Sequence, residues 1–117
     1  MKDDRKKFES VVALAVIAAI LTIAFVAVTR ASAATRSAAV SIKDFKFSPP
    51  ALTVPVGTTV TWINHDEETH TVTSAANGFT SSGLSHDETF VRKFDRPGAY
   101  AYFCALHPHM RATVLVK

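Results

Sequence analysis

The sequence predicts an all-β Greek-key sandwich preceded by an apolar N-terminal helix, and three observations carry that expectation. Short runs rich in Val, Ile, Thr, Phe and Tyr recur from Val40 to the end of the chain. Within them apolar and polar residues alternate with a period of two, and Pro or Gly punctuates them at close spacing, as strands joined by turns require. Ahead of them, Val11 to Val28 is an eighteen-residue apolar run broken only by Thr22.

Met1 to Glu9 is charged and contains Lys2, Arg5, Lys6 and Lys7, and the tripeptide Ala31-Ser32-Ala33 closes the apolar run with the small residues a signal peptidase accepts. Residues 1–33 therefore read as a signal peptide cut before Ala34. The alternative is an uncleaved membrane anchor through residues 11–28, because a spanning helix needs roughly 17–25 apolar residues. Either reading places a domain of residues 34–117 outside the cytoplasmic membrane, in the periplasm or tethered to the membrane's outer face. A buried core helix is a poor alternative, since so short a remainder cannot wrap a helix that is apolar all round.

The exported part opens on Thr35 to Ala39, small and polar, which reads as a linker. Val40 and Ile42 then alternate with Ser41 and Lys43, Pro49-Pro50 forces a break, and Leu52, Val54 and Val56 resume the period of two before Gly57 turns the chain. From Thr58 to Asn64, Thr59 and Thr61 alternate with Val60 and Trp62, so the indole is expected on the buried face of a half-exposed strand. His70 to Ser74 reads as a further short strand, and Ala75 to Asp87 as a loop with at most a turn of helix. Phe90 and Phe94 share a face of the next strand, which Pro97-Gly98 ends. Tyr100, Tyr102 and Cys104 fall on one face of its successor, and Arg111 to Val116 is the last strand. About seven strands at this spacing argue for an antiparallel sandwich.

Charge excludes one class of function. Five of the thirteen basic and three of the ten acidic residues precede Ala34, leaving eight and seven in the exported part, scattered among one another. A nucleic-acid binder needs a basic stripe, and none is present. Cys104 is the single cysteine, so it cannot form an internal disulfide and calls for another explanation. A domain this small without disulfides also gains from a structural metal.

That explanation lies in the segment CALHPHM, where Cys104, His107 and Met110 recur at intervals of three between two predicted strands, with His70 as a fourth donor upstream. One thiolate, two imidazoles and a weak thioether form the donor set of a mononuclear blue-copper electron-transfer site, trigonal His₂Cys with a long axial Met. The soft thiolate suits Cu(I), imidazole suits both oxidation states, and the weak axial sulfur leaves a geometry close to what each accepts. Zinc is the rival metal, but Met is a poor zinc ligand and structural zinc sites use more thiolates. As mere packing, Cys104 would be a small buried hydrophobe, His107 and His109 loop residues, and Met110 core filler.

From VSIKDFKFSPPALTVPVGTTVTWIN through HTV to RPGAYAYFCALHPHMRATVLVK, the exported part resembles the cupredoxins, and its short ligand loop, with two residues in each interval and Pro108 between His107 and His109, resembles that of amicyanins. The resemblance implies that His70, Cys104, His107 and Met110 bind one copper ion cycling between Cu(II) and Cu(I), and that His107 lies nearest the surface as the route for electrons. Two positions depart from the pattern. Thr71 stands where an Asn is common, and Ala112 where a Gly is usual.

The function expected is a single-electron carrier, monomeric and not an enzyme, serving transient redox partners such as an exported dehydrogenase or cytochrome. The alternative is a copper-delivery protein, although such proteins tend to be rich in Met or His with open sites. A copper oxidase would need more than the five histidines present. His65, Asp66, Glu67 and Glu68 read as a solvated loop, as do His86, Asp87 and Glu88, and His109 as an exposed loop residue. Ala105, Leu106 and Pro108 are expected to form a small apolar docking face around His107.

Overall fold

The computed structural model describes residues 34–117; the leader or anchor expected over 1–33, including its helix, lies outside them. Among the described residues nine strands form: β1 (Ser37–Lys43), β2 (Lys46–Ser48), β3 (Ala51–Val54), β4 (Thr58–Asn64), β5 (Thr73–Ser74), β6 (Phe79–Thr80), β7 (Thr89–Phe94), β8 (Gly98–Phe103) and β9 (Arg111–Val116). They make one sheet in the order β2-β1-β4-β7 and a second in the order β3-β9-β8-β5-β6.

The sandwich is all-β as expected, but it is mixed where an antiparallel one was predicted. β1 pairs parallel with β4, Ser37 facing Thr59 and Ile42 facing Asn64, and β3 pairs parallel with β9. The cause is that the chain leaves the first sheet after β2, adds β3 to the second, and returns through the Gly57 turn to lay β4 beside β1. Such long-range neighbours cannot be read from local alternation. β4 also recruits the expected linker, because Thr59 N–H donates to the Arg36 carbonyl at 2.9 Å and Ser37–Ala39 continue as strand.

The period of two does hold along β4, where Thr58, Val60, Trp62 and Asn64 are buried and the residues between them are half-buried. Trp62, fully buried, fills the centre between the sheets. Its ring meets Tyr102 edge-on at 5.5 Å and packs on Phe90 at 5.6 Å and Phe94 at 6.3 Å. Phe47 closes on Tyr102 from β2 at 4.8 Å. Val40, Ile42, Val54, Val114 and Val116 complete a core drawn from both sheets.

β1 and β2 form a hairpin that the sequence did not announce. Lys43 faces Lys46, so the loop between them is the pair Asp44-Phe45, with φ of 51° and 56°. Two successive positive φ values are those of a type I′ turn, which normally takes Asn-Gly. A residue with a Cβ pays of order 1–3 kcal/mol for such a conformation, so something must hold Phe45 there.

Candidate metal centre

The spacing of three in CALHPHM has a backbone origin. His107 N–H donates to the Cys104 carbonyl at 3.2 Å and Met110 N–H to the His107 carbonyl at 2.9 Å, which makes two consecutive four-residue turns that share His107. Pro108 occupies the second position of the second turn, where its fixed φ is an advantage. Cys104 N–H then donates to the Met110 carbonyl at 3.1 Å and closes the loop on the β8-β9 ladder. Each turn ends on a candidate ligand, and the ladder anchors the first and last.

His70 comes from the first sheet's side of the sandwich. Its N–H and carbonyl exchange bonds with Leu84 at 3.1 and 2.7 Å as an isolated bridge, and the strand expected over His70–Ser74 is reduced to β5. The reason is that its donors are diverted: Thr71 N–H points at Cys104 Sγ, 3.4 Å away, and Val72 N–H at Ser81 Oγ, 2.8 Å away. Upstream, the fully buried Asn64 side chain accepts Asp66 N–H and donates to the carbonyls of Glu68 and Leu84, all at 2.8–2.9 Å. One amide thereby fixes the whole approach to His70.

Asp66, expected on a solvated loop, is instead buried and central. Its Oδ1 accepts Asp44 N–H at 2.7 Å, and its Oδ2 accepts Phe45 N–H at 3.0 Å and faces His70 Nε2 at 2.8 Å. Two successive left-handed residues make a concave pair of N–H groups suited to an anion, and the carboxylate fills it. Desolvation, the largest single influence, opposes ionisation of Asp66, but the N–H groups of Phe45 and Asp44 together with His70 hold its pKa below 3.8. With the carboxylate ionised, His70 Nε2–H is the donor and Nδ1 is left free to ligate.

Both Nδ1 atoms point at the sulfur. His70 Nδ1 lies 3.7 Å and His107 Nδ1 3.6 Å from Cys104 Sγ, and the two nitrogens are 3.2 Å apart. Among the described residues these three make the group of His, Cys, Asp and Glu side chains placed for a metal ion. Bond lengths of about 2.0–2.3 Å at a trigonal metal would set donor pairs roughly 3.5–3.8 Å apart, so the triangle lies within a few tenths of an ångström of what an ion needs. Met110 is buried beside it, at the loop's closing end. His70 and Cys104 are fully buried, whereas His107 is half-buried. The four side chains are thus grouped as a ligand set suited to one copper ion.

Two further residues complete the setting. Thr71 Oγ1 accepts Ala105 N–H at 2.8 Å, tying the first turn of the ligand loop to the segment that carries His70. Phe45 meets His70 and His107 edge-on, with ring centroids 5.1 and 5.0 Å away. Phe45 was not picked out from sequence, and Asp66 was read there only as part of a solvated loop. The signal that could have found Phe45 is the pair Lys43 and Lys46 flanking a two-residue turn with a bulky residue where Gly belongs; no local signal marks Asp66.

The remaining candidates stay outside the centre. His65 and His86 face carboxylates on the surface: His65 lies 3.9 Å from Asp87, and His86 3.6 Å from Glu67 and 3.4 Å from Asp87. The Asp66 carbonyl first, and the charges of Asp87 and Glu67 after it, raise the His86 pKa above 6.5 against a smaller effect of desolvation. His109 is exposed, with its ring 6.4 Å from that of His107. Ala105, Leu106 and Pro108 are exposed around His107, Leu106 at 56%.

Comparison with known proteins agrees with this geometry. A family model described as a cupredoxin-like domain matches residues 14–116. The amicyanin of Paracoccus versutus is 31% identical over 83 residues, covering 67% of this chain and 63% of its own length, so the match spans less than two thirds of that relative. A solved amicyanin structure, a methionine-to-alanine variant in the Cu(I) form, superposes with a TM-score of 0.67 at 31% identity, covering 69% of this chain and 82% of its own. A purple cupredoxin from Nitrosopumilus maritimus superposes with a TM-score of 0.63 at 34% identity, covering 68% of this chain and 99% of its own.

Proposed function

The chain belongs to the cupredoxin family, and on that premise we propose that it is an exported single-electron carrier whose His70, Cys104, His107 and Met110 hold one copper ion. Copper bound there supplies a Cu(II)/Cu(I) couple. The observation that carries the reading is the prearranged triangle of Sγ and two Nδ1 atoms at 3.2–3.7 Å, with two members fully buried and His107 half-buried.

Each part of the chain has a task in this reading. The two hydrogen-bonded turns keep Cys104, His107 and Met110 in place whichever charge the site bears, which keeps reorganisation small. Thr71 N–H, directed at Cys104 Sγ, stabilises a thiolate. His107 is the port for electrons, and exposed Leu106, Ala105 and Pro108 around it form a small apolar face for brief encounters with an exported dehydrogenase or cytochrome. No bond is made or broken on a substrate, so the protein is a carrier and not an enzyme. Full burial of His70 and Cys104 favours electron carriage over copper delivery, which needs an accessible site. Residues 1–33 serve as leader or anchor and 34–117 as the working domain.

The test is to load the purified full chain with Cu(II). An intense visible thiolate-to-copper band that vanishes in Cys104→Ser and bleaches on addition of one electron per protein is expected. A colourless complex in the unaltered chain sinks the assignment. For the docking face, Leu106→Glu should slow electron exchange with every physiological partner.

A further inference from the structure

We propose that Phe45 is a lid on the metal centre, excluding small anions from the histidine side of the copper. The proposal rests on the copper reading above and on three observations that reading does not use. First, Phe45 packs edge-on against both candidate imidazoles at once, at 5.1 Å from His70 and 5.0 Å from His107. It spans the gap between them from outside. Second, an open hollow of about 390 Å³ lies beside the site, lined by Phe45, Lys46, His109, Met110 and Arg111 among others. Neither His70 nor His107 lines it. Lys46 and Arg111 give the hollow a positive rim, which draws small anions towards the centre, and the Phe45 ring is the wall between that hollow and the imidazoles.

Third, the ring is held in place against the local preference of the chain. Phe45 has φ of 56° at the second position of a type I′ turn, where Gly would be unstrained, and its N–H is fastened to the Asp66 carboxylate that also fixes His70. A ring that served only the turn would be replaced there with profit by Gly. At 37% exposure it adds little to the core either. Its contacts place its use at the centre.

The turn supplies a clean experiment, because Phe45→Gly removes the ring while favouring the observed backbone. The full chain, unaltered and as Phe45→Gly and Phe45→Leu, is loaded with Cu(II) and titrated with sodium azide while the visible and electron paramagnetic resonance spectra are followed. Phe45→Gly is expected to bind azide with a saturable spectral change at concentrations roughly tenfold or more below any response of the unaltered chain. Phe45→Leu, which keeps most of the apolar cover, should remain close to the unaltered protein. A blue Phe45→Gly variant that ignores azide as the unaltered chain does overturns the lid.

If the unaltered chain forms no blue complex, the copper reading has failed by itself, and the lid is judged on the metal-free chains. There iodoacetate should alkylate buried Cys104 roughly tenfold faster in Phe45→Gly than in the unaltered chain at matched folding stability. Equal rates overturn the lid independently of any metal.

Discussion

The carboxylate of Asp66 stands 2.8 Å from His70 Nε2 while its two oxygens also receive the N–H groups of Asp44 and Phe45. One buried side chain therefore sets the tautomer of a candidate ligand and the shape of the hairpin that covers it. Asp66→Asn keeps the volume but turns an NH₂ towards donors that expect an acceptor. Copper affinity, measured by competition with a Cu(I) chelator, should fall about 10- to 100-fold, and the metal-free chain should lose roughly 1–3 kcal/mol to denaturant. Unchanged affinity would show that His70 needs no such partner.

Thr71 is tied to the centre twice, through its N–H to Cys104 Sγ and through its Oγ1 from Ala105 N–H. Thr71→Val preserves the first and removes the second. Ala105 N–H then loses its acceptor in a part-buried site, at a cost of about 1–3 kcal/mol in chemical denaturation of the metal-free chain. The energy of the thiolate-to-copper band should hardly move, because the bond at sulfur is untouched. A large spectral shift with no loss of stability would contradict this division of labour.

These two residues mark where sequence reasoning stops. Trp62 on the inner face of β4 and the ligand loop between β8 and β9 were legible because alternation and the Cys104, His107, Met110 spacing are local. Asp66 was read as solvated because its partners, Asp44 and Phe45, lie more than twenty residues upstream, and nothing in HDEE distinguishes one acid from its neighbours. The shortened strand after His70 and the parallel pairing of β1 with β4 escaped for the same reason. Each depends on a distant group, such as Cys104 Sγ for Thr71 N–H, that competes for the backbone.

His86 offers a check on the outer shell. Its Nδ1 lies 3.2 Å from the Asp66 carbonyl, and its pKa is raised above 6.5, first by that carbonyl and then by Asp87 and Glu67, with a small contribution from the backbone at His65. A raised pKa in the folded state means that protonation stabilises the fold. The gain is complete below about 6.5 and disappears as pH rises through the higher folded value. Imidazole titration by nuclear magnetic resonance should show the elevated pKa, and Asp87→Asn should lower it without restoring 6.5, since the carbonyl remains. Full restoration by Asp87→Asn would make the carboxylate, and not the carbonyl, the principal cause.

Tyr102 gives the opposite end of the pH scale. Its hydroxyl is buried without a hydrogen-bond partner among the described residues, as is Trp62 Nε1, and the two rings meet at 5.5 Å. Burial pushes the phenol pKa up from 10.0 to about 12. The phenolate is thus disfavoured in the fold, so the stability linked to Tyr102 is whole below about pH 10 and is lost as pH climbs towards 12. Tyr102→Phe removes an unsatisfied polar atom and keeps the ring against Trp62 and Phe47. At neutral pH the variant should be as stable as the unaltered chain or more so, by up to about 1–3 kcal/mol. Above pH 10 its advantage should widen, because the remaining chain still carries Tyr100 and its lysines but no longer a buried phenol to ionise. Thermal unfolding of both chains at pH 7 and pH 11 measures the difference. A variant that is less stable at neutral pH would mean that the hydroxyl has a partner, and the Trp62 indole packed against its ring is the group to provide one.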